Sequence, residues 1–332
     1  MTDTIRWGLI GTGGIAAAFA RDLRLLPDHA VVAVGSRSQG SADTFADEHG
    51  IEHRHASYAD LGADPGIDAV YVATPHPGHH HAAMLAIEAG KAVLVEKPFT
   101  MDAAEARSLV AAARARGTFL MEAMWTRHLP RTLAIREIVE SGRIGDIVLV
   151  TAEHGQWFQD DPAFRLFAPE LGGGALLDLG IYPVSYAHML LGTPRAITAV
   201  SDPAFTGVDG QTSMILQYAD GAHAVLTTTL RAGTECHAVI AGREGRIEID
   251  DVFYVPGSFR LIPRVGRDDG EPEVHTFDEP GHGLRYQAAE VGRCLRAGLT
   301  ESPRMTLDES VAIMETLDEV RRQIGLTYPG LD

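Results

Sequence analysis

A short apolar strand, Trp7-Gly8-Leu9-Ile10, empties into Gly11-Thr12-Gly13-Gly14-Ile15-Ala16, and an Ala- and Leu-rich helical segment from Ile15 to Leu26 then stops at Pro27. This is G-x-G-x-x-A set between a strand and a helix. Gly11 suits the tight turn, and Gly13 lets backbone approach a pyrophosphate. The small Ala16 lets the helix pack closely on the strand, with its positive N-terminal end facing the phosphates. The spacing predicts a dinucleotide site over Gly11, Thr12, Gly13, Gly14 and Ile15.

The second strand, Ala30 to Val34, leads into Gly35-Ser36-Arg37-Ser38. A site for NAD usually carries Asp or Glu there to bind the ribose 2′-hydroxyl. This turn has no carboxylate. Ser36 and Ser38 can donate to a phosphate, and Arg37 can pair with a 2′-phosphate or stack on adenine. NADP is therefore the expected cofactor, with NAD weaker.

The alternation continues with strands at Asp68–Ala73, Ala92–Val95 and Thr118–Met121. Helices are expected at Ser41–His49, His81–Ala89 and Met101–Arg116, the last with Thr100 as N-cap. Apolar strands alternating with helices specify an α/β fold, a doubly wound parallel Rossmann sheet over residues 1–123. From residue 124 the strand signals crowd together: Asp146–Ala152, Ala196–Val200, Thr212–Tyr218, Ala222–Thr229, Glu235–Ala241 and Gly245–Ile249. Residues 124–332 are thus expected to form an α+β domain for substrate and oligomerisation, with a large, mostly antiparallel open sheet. Gly257 to Gly270 reads as its loose loop. Thr306-Leu307-Asp308-Glu309 is a capping box, and Val311, Met314, Leu317, Val320 and Ile324 form one stripe, so a C-terminal helix is expected over about 306–325.

Composition excludes some partners. A net charge of −17 at pH 7 argues against nucleic acid. The apolar runs are too short to span a bilayer, and no basic leader with a long apolar core precedes the first strand, so a cytoplasmic location is expected. Cys236 and Cys294 are read as small buried hydrophobes.

Lys97 lies just beyond the strand Val93-Leu94-Val95, and ligands of open α/β sheets bind in the crevice at the carboxyl ends of strands. A lysine there can polarise a carbonyl or alcohol. His76, His79, His80 and His81 come without H-E-x-x-H spacing or a cysteine partner, so no metal is expected.

Ala73-Thr74-Pro75-His76-Pro77-Gly78-His79, Ala89-Gly90-Lys91 and Glu96-Lys97-Pro98 resemble the glucose–fructose oxidoreductase, inositol dehydrogenase and rhizopine-catabolism family. Two further blocks, Phe119 to Arg127 and Glu170 to Pro183, resemble the branch holding dimeric dihydrodiol dehydrogenases and NADP-dependent D-xylose 1-dehydrogenases. The resemblance implies that Lys97 is the active-site lysine, Tyr182 the acid/base residue, and Asp178 a partner that orients the substrate or the lysine. It implies that Thr74, Pro75, His76, His79, Glu96 and Lys97 line the cofactor site. It also implies that His76, Trp125, Arg127, Asp178 and Tyr182 meet the substrate.

Asp178 precedes Tyr182 by four residues, which on a helix puts both on one face. Pro183 disfavours helical torsions at the residue before it, so a kink or break is expected at Tyr182. Whether Tyr182 or Lys97 carries the proton stays open. The expected function is hydride transfer between NADP and a sugar or cyclic vicinal diol, or reduction of the corresponding carbonyl, by a homodimer or higher assembly. The alternative is a non-catalytic NADP-sensing regulator on the same fold.

Overall fold

The computed structural model describes residues 4–249 and 251–331. The chain divides into two compact units, one of residues 1–125 with 281–311 and one of residues 126–280 with 312–332.

The first unit is a six-stranded parallel sheet. Its elements are β1 (Ile5–Ile10), α1 (Gly14–Leu23), β2 (His29–Gly35), α2 (Gln39–His49), β3 (His53–His55), α3 (Tyr58–Ala63), β4 (Ala69–Val72), α4 (His79–Glu88), β5 (Ala92–Glu96), α5 (Ala103–Arg116) and β6 (Leu120–Ala123). The strand order is β3-β2-β1-β4-β5-β6, the doubly wound Rossmann order. Every residue of β4, β5 and β6 is buried, as expected of parallel strands covered on both faces. The N-cap of α5 is Asp102, not Thr100. Its side chain accepts from Glu105 N at 2.8 Å, and Glu105 reaches back to Met101 N at 3.1 Å, so Asp-x-x-Glu outcompetes the earlier threonine.

Residues 281–311 return to this unit, although the sequence reading assigned them to the second domain. The anchor is Asp22 on α1, whose buried carboxylate accepts from the backbone N–H groups of His282, Gly283 and Arg285 at 2.8, 3.0 and 2.8 Å. These donors open the helix Arg285–Arg296, so one acidic side chain on α1 caps a helix more than 260 residues away.

The second unit is built on a mixed sheet of β7 (Ile147–Gly155), β8 (Ala196–Pro203), β9 (Asp209–Gln217), β10 (His223–Thr229), β11 (Ala238–Gly242), β12 (Gly245–Ile249), β13 (Ser258–Val265), β14 (Asp268–Asp269) and β15 (Glu273–Thr276). The order is β14-β13-β12-β11-β7-β10-β9-β8, with β15 on β13. The β7–β10 pair is parallel and the other pairs are antiparallel. The stretch expected to be a loose loop is β13. Phe259 and Leu261 alternate into the core, and that burial outweighs the turn signals of Gly257, Pro263 and Gly270.

Strands β7, β9 and β10 bury one face, with Val150, Met214, Leu216, Ala224 and Leu226 inside. On the other face Val200, Ile215 and Val225 are exposed. Helices α6 (Pro130–Glu140) and α7 (Ile181–Leu191) belong to this unit, and α7 packs on β7 and β10. The C-terminal helix spans Leu307–Ile324 with Thr306 accepting from Glu309 N at 3.2 Å, as the capping box predicts. Among the described residues no helix is long and apolar enough to cross a membrane.

Candidate active site

Gly11 has φ +108°, and a Cβ there would lie 2.5 Å from the Ala73 carbonyl oxygen, so β1 and β4 close on it. Only glycine takes that backbone without strain. At Gly13 and Gly14 a Cβ would meet nothing within 4 Å. Gly13 caps α1 without a side-chain bond, and the first turn of α1 carries no acidic residue. The first N–H groups of a helix have no partner inside it and favour an anion. Open space above two glycines, at a ten-residue helix start, fits the pyrophosphate of a dinucleotide.

At the end of β2, Ser36 is buried and Arg37 exposed. Ser38 is the N-cap of α2, accepting from Ser41 N at 3.3 Å. Its oxygen is therefore partly committed to the helix, which leaves Ser36 and Arg37 as the freer pair for a 2′-phosphate. The Tyr58 phenol is pushed up by burial, against the pull of the nearby Arg37 guanidinium.

The ends of β4 and β5 are tied together. His79 opens α4, with Nδ1 2.8 Å from the Pro98 carbonyl and Nε2 2.9 Å from the Thr74 carbonyl. Burial is the largest influence on its pKa, followed by His76, and the two carbonyls pull the other way; the result is about 3. Glu96 is buried, accepts from the Tyr71 hydroxyl and takes the backbone N–H of Lys97 at 3.2 Å. Glu96 and His79 thus hold the turn that presents Lys97. The Lys97–Pro98 peptide is cis. His76 is buried with its ring 5.8 Å from that of His79. Trp125 is buried and stacks on His282 at 5.1 Å.

In the second unit the segment before α7 is not a plain helix. Leu176–Gly180 is a wide π turn, and α7 then runs through Tyr182 and Pro183 without a break. The expected kink at Tyr182 is thus replaced by an irregularity one turn earlier. Pro183 falls in the first turn of α7, where a missing N–H is tolerated, and the Leu179 carbonyl it leaves over lies 3.2 Å from His154 Nδ1. Asp178 lies within that wide turn, so the spacing of four to Tyr182 does not carry the ordinary one-face geometry. Asp178 is buried and receives both prongs of Arg165, each at 3.1 Å.

Tyr182 is buried in an aromatic group, 4.8 Å from Tyr254 and 5.2 Å from His154 between ring centroids. Tyr254 stacks on His154 at 4.1 Å. Gln156 Nε2 donates to His154 Nε2 at 3.0 Å and to the Tyr254 hydroxyl at 3.1 Å. His154 Nε2 is then an acceptor, so Nδ1 carries the proton and donates to Leu179 O at 3.2 Å. Burial, more than any other influence, pushes the Tyr254 phenol up to about 12.

Arg127, expected at the substrate, is buried. Its Nε donates to Ser185 Oγ at 3.0 Å and its Nη2 to Ser185 O at 2.7 Å. It braces α7 one turn beyond Tyr182. Sequence reasoning did not single out Arg165, His154, Gln156 or Tyr254. Lys97 belongs to the first unit, and Asp178 and Tyr182 to the second.

Residues 5–124 match the family model described as an oxidoreductase family with an NAD-binding Rossmann fold, and residues 132–248 match the GFO/IDH/MocA C-terminal domain. A trans-1,2-dihydrobenzene-1,2-diol dehydrogenase of Macaca fascicularis is 39% identical, over 98% of each chain. A D-xylose 1-dehydrogenase (NADP(+)) of Hypocrea jecorina is 37% identical, over 99% of this chain and 94% of that protein. Among solved structures, a 3-ketoreductase of Actinomadura kijaniata in complex with NADP and TDP-benzene is 28% identical. It superimposes with a TM-score of 0.84 over 97% of this chain and 98% of its own.

Proposed function

The chain belongs to the GFO/IDH/MocA oxidoreductase family, and on that premise we propose that it is an NADP-dependent dehydrogenase of a sugar or cyclic vicinal diol, or a reductase of the corresponding carbonyl. The observation that carries the reading is the start of α1, where Gly13 and Gly14 leave open space over unshared N–H groups. The turn Ser36-Arg37-Ser38, without a carboxylate, favours NADP over NAD. The substrate class is suggested by what the relatives are named for, a dihydrodiol and D-xylose.

NADP, when bound, supplies the acceptor or donor of a hydride. The chain's own part is the proton. As the substrate carbon loses hydride, its hydroxyl proton passes to Tyr182 or to Lys97; in reduction the same group returns it to the carbonyl oxygen. A phenol near pKa ~10 is a weak base at neutral pH unless a cation favours its anion, a role that falls to Lys97. Thr74, Pro75 and His76 follow β4 and are proposed to border the nicotinamide, with Glu96 and His79 positioning Lys97. Asp178 orients the substrate or the lysine. Trp125 and Arg127, both buried, are given packing and bracing roles.

The exposed apolar residues Val200, Ile215 and Val225 of the sheet are proposed to meet a second copy of the chain, since apolar patches on a sheet face mark interfaces. Light scattering at micromolar concentration should then report a dimer or larger; a monomer would remove that part. The reading places the enzyme in the cytoplasm, with no membrane or nucleic acid as partner. The test is a screen with NADP and with NAD against aldopentoses, aldohexoses, inositols and cyclic diols, beside calorimetry of both cofactors. NADP should bind more tightly, and Arg37→Ala should weaken NADP more than NAD. Tight NADP binding with no turnover of any of these would favour a sensor instead.

A further inference from the structure

Outside this site, three side chains of the first unit converge on one point. His53 Nδ1 lies 2.6 Å from Asp64 Oδ2, and His55 Nε2 lies 3.0 Å from the same oxygen. The two histidines are alternate residues of β3, so both project from one face of the edge strand. Asp64 comes from the turn after α3. Its other oxygen faces away and accepts from Gly66 N at 2.7 Å. Lys91 Nζ pins the carbonyls of Asp64 and Ile67 at 2.7 and 2.9 Å, so the carboxylate arrives on a braced turn.

We propose that His53, His55 and Asp64 bind one divalent cation of the zinc class, with water completing its shell. Two imidazoles and a carboxylate are the donor set that late first-row divalent ions take, and three protein ligands with an open position are typical of sites that keep a bound water. The three ligand atoms lie within 4.8 Å of one another. With metal bonds of 2.0–2.1 Å, tetrahedral ligand atoms stand ~3.3 Å apart, so each histidine–carboxylate contact needs to open by less than about 1 Å. Room to do so exists, because the side chains of His53 and His55 are 41% and 21% exposed while that of Asp64 is 6% exposed. The Gly66 amide supplies the outer hydrogen bond that orients a ligating carboxylate. The sequence reading weighed a metal only at His76, His79, His80 and His81, and expected none. On β3 the third ligand becomes visible only through the fold.

The site borders the cofactor turn. His55 pairs with Gly35 across the β2–β3 ladder, and Ser36 N donates to the His55 carbonyl at 3.1 Å. It does not depend on the proposed activity, and its test uses binding alone. The full chain, freed of any affinity tag and stripped with chelator, is titrated with Co²⁺ while the visible d–d absorption is followed, and Zn²⁺ is then added in competition. The expected result is one ion per chain, displaced by Zn²⁺. His53→Gln with His55→Gln should weaken binding by tenfold or more, on the order of what loss of metal-site interactions costs. His81→Gln, an exposed histidine of the other run, should change nothing. If circular dichroism shows the double variant unfolded, His53→Gln alone serves, because its ring is partly exposed, and it should still weaken binding. The proposal is overturned by equal affinity in wild type and a folded variant, by loss in His81→Gln, or by no saturable binding in the wild type.

Discussion

Arg165 grips Asp178 with both prongs, Nη1 at 3.1 Å from Oδ1 and Nη2 at 3.1 Å from Oδ2. The arginine side chain is 51% exposed and the aspartate 7%, so the pair fixes a buried carboxylate from the solvent side. A paired fork sets the plane of the carboxylate as well as its charge. Arg165 is thus a positioning residue for Asp178. Arg165→Met should lower kcat/KM by about tenfold, and Arg165→Lys should restore little, since a point charge does not set that plane. Added to Asp178→Asn, Arg165→Met should cost almost nothing more, because neighbours in one network are non-additive. Steady-state kinetics on wild type, these single variants and the double variant decides it; independent, additive losses would separate the two residues.

The two motif glycines separate folding from binding. Gly11→Ala forces a side chain into φ +108° and within 2.5 Å of the Ala73 carbonyl oxygen. Strain of this kind costs ~1–3 kcal/mol even before the clash, so the variant should melt several degrees lower. Gly13 has φ −84°, and its Cβ would enter open space. Gly13→Ala should therefore melt like wild type yet lose about tenfold or more in NADP affinity, because the methyl occupies the approach of the pyrophosphate. Thermal melts and calorimetry read the two effects apart. A Gly13→Ala protein that binds NADP normally would move the phosphates elsewhere.

Most of the parallel sheet was legible because β1, β2, β4 and β5 are apolar runs closed by glycine or proline, a pattern local to ten residues; β3, His53-Arg54-His55, carries no such signal and went unread. The glycine turn and Lys97 beyond β5 were legible too. What escaped is non-local. Asp22 is one of many acidic residues on paper, and its role as a cap appears only when residues 282–285 fold against α1. Arg165, His154 and Tyr254 come from a short 3-10 turn, a strand and a loop, and no spacing links them to Asp178 or Tyr182. The sequence did warn of an irregularity at Pro183, but the irregular turn falls before it, at Leu176–Gly180, and a first-turn proline asks nothing of its own N–H. In β13, proline and glycine signals masked an alternation that only its burial reveals.

Asp209 gives a pH signature of the base of the same helix. It is buried, with Oδ2 accepting from Leu176 N at 2.8 Å and Thr212 Oγ1 at 2.9 Å, while Oδ1 has no hydrogen-bond partner among the described residues. Burial pushes its pKa up to about 7, and its hydrogen bonds only partly oppose this. Between about pH 4 and 7 the folded chain therefore holds a proton that the unfolded chain has lost. This group favours folding at the acid end of that window and costs stability as pH rises through 7. Asp209→Asn keeps an acceptor for Leu176 N and has no charge to bury. Relative to wild type, the variant should gain on going from pH 5 to pH 8, by a few kcal/mol at about 1.4 kcal/mol per pKa unit. Denaturant midpoints of both proteins at the two pH values give the difference. An unchanged difference would mean that Asp209 stays ionised throughout.

On the proposed function the chemistry rests on Lys97 and Tyr182. Glu96 and His79 hold the turn of the lysine, and Arg127 braces the helix of the tyrosine. Loss of one general acid or base typically costs 10²–10⁴-fold in rate. Tyr182→Phe and Lys97→Met should each lower kcat by about that range. NADP affinity should change little, because the phosphates are assigned to the start of α1 and the Ser36-Arg37 turn. The double variant should fall far short of the product of the two losses, since residues that act as one unit are not additive. Turnover surviving within a few-fold in Tyr182→Phe would hand the proton to Lys97 alone. Full turnover in both single variants would sink the dehydrogenase mechanism and leave NADP binding, with no chemistry attached, as the function of the chain.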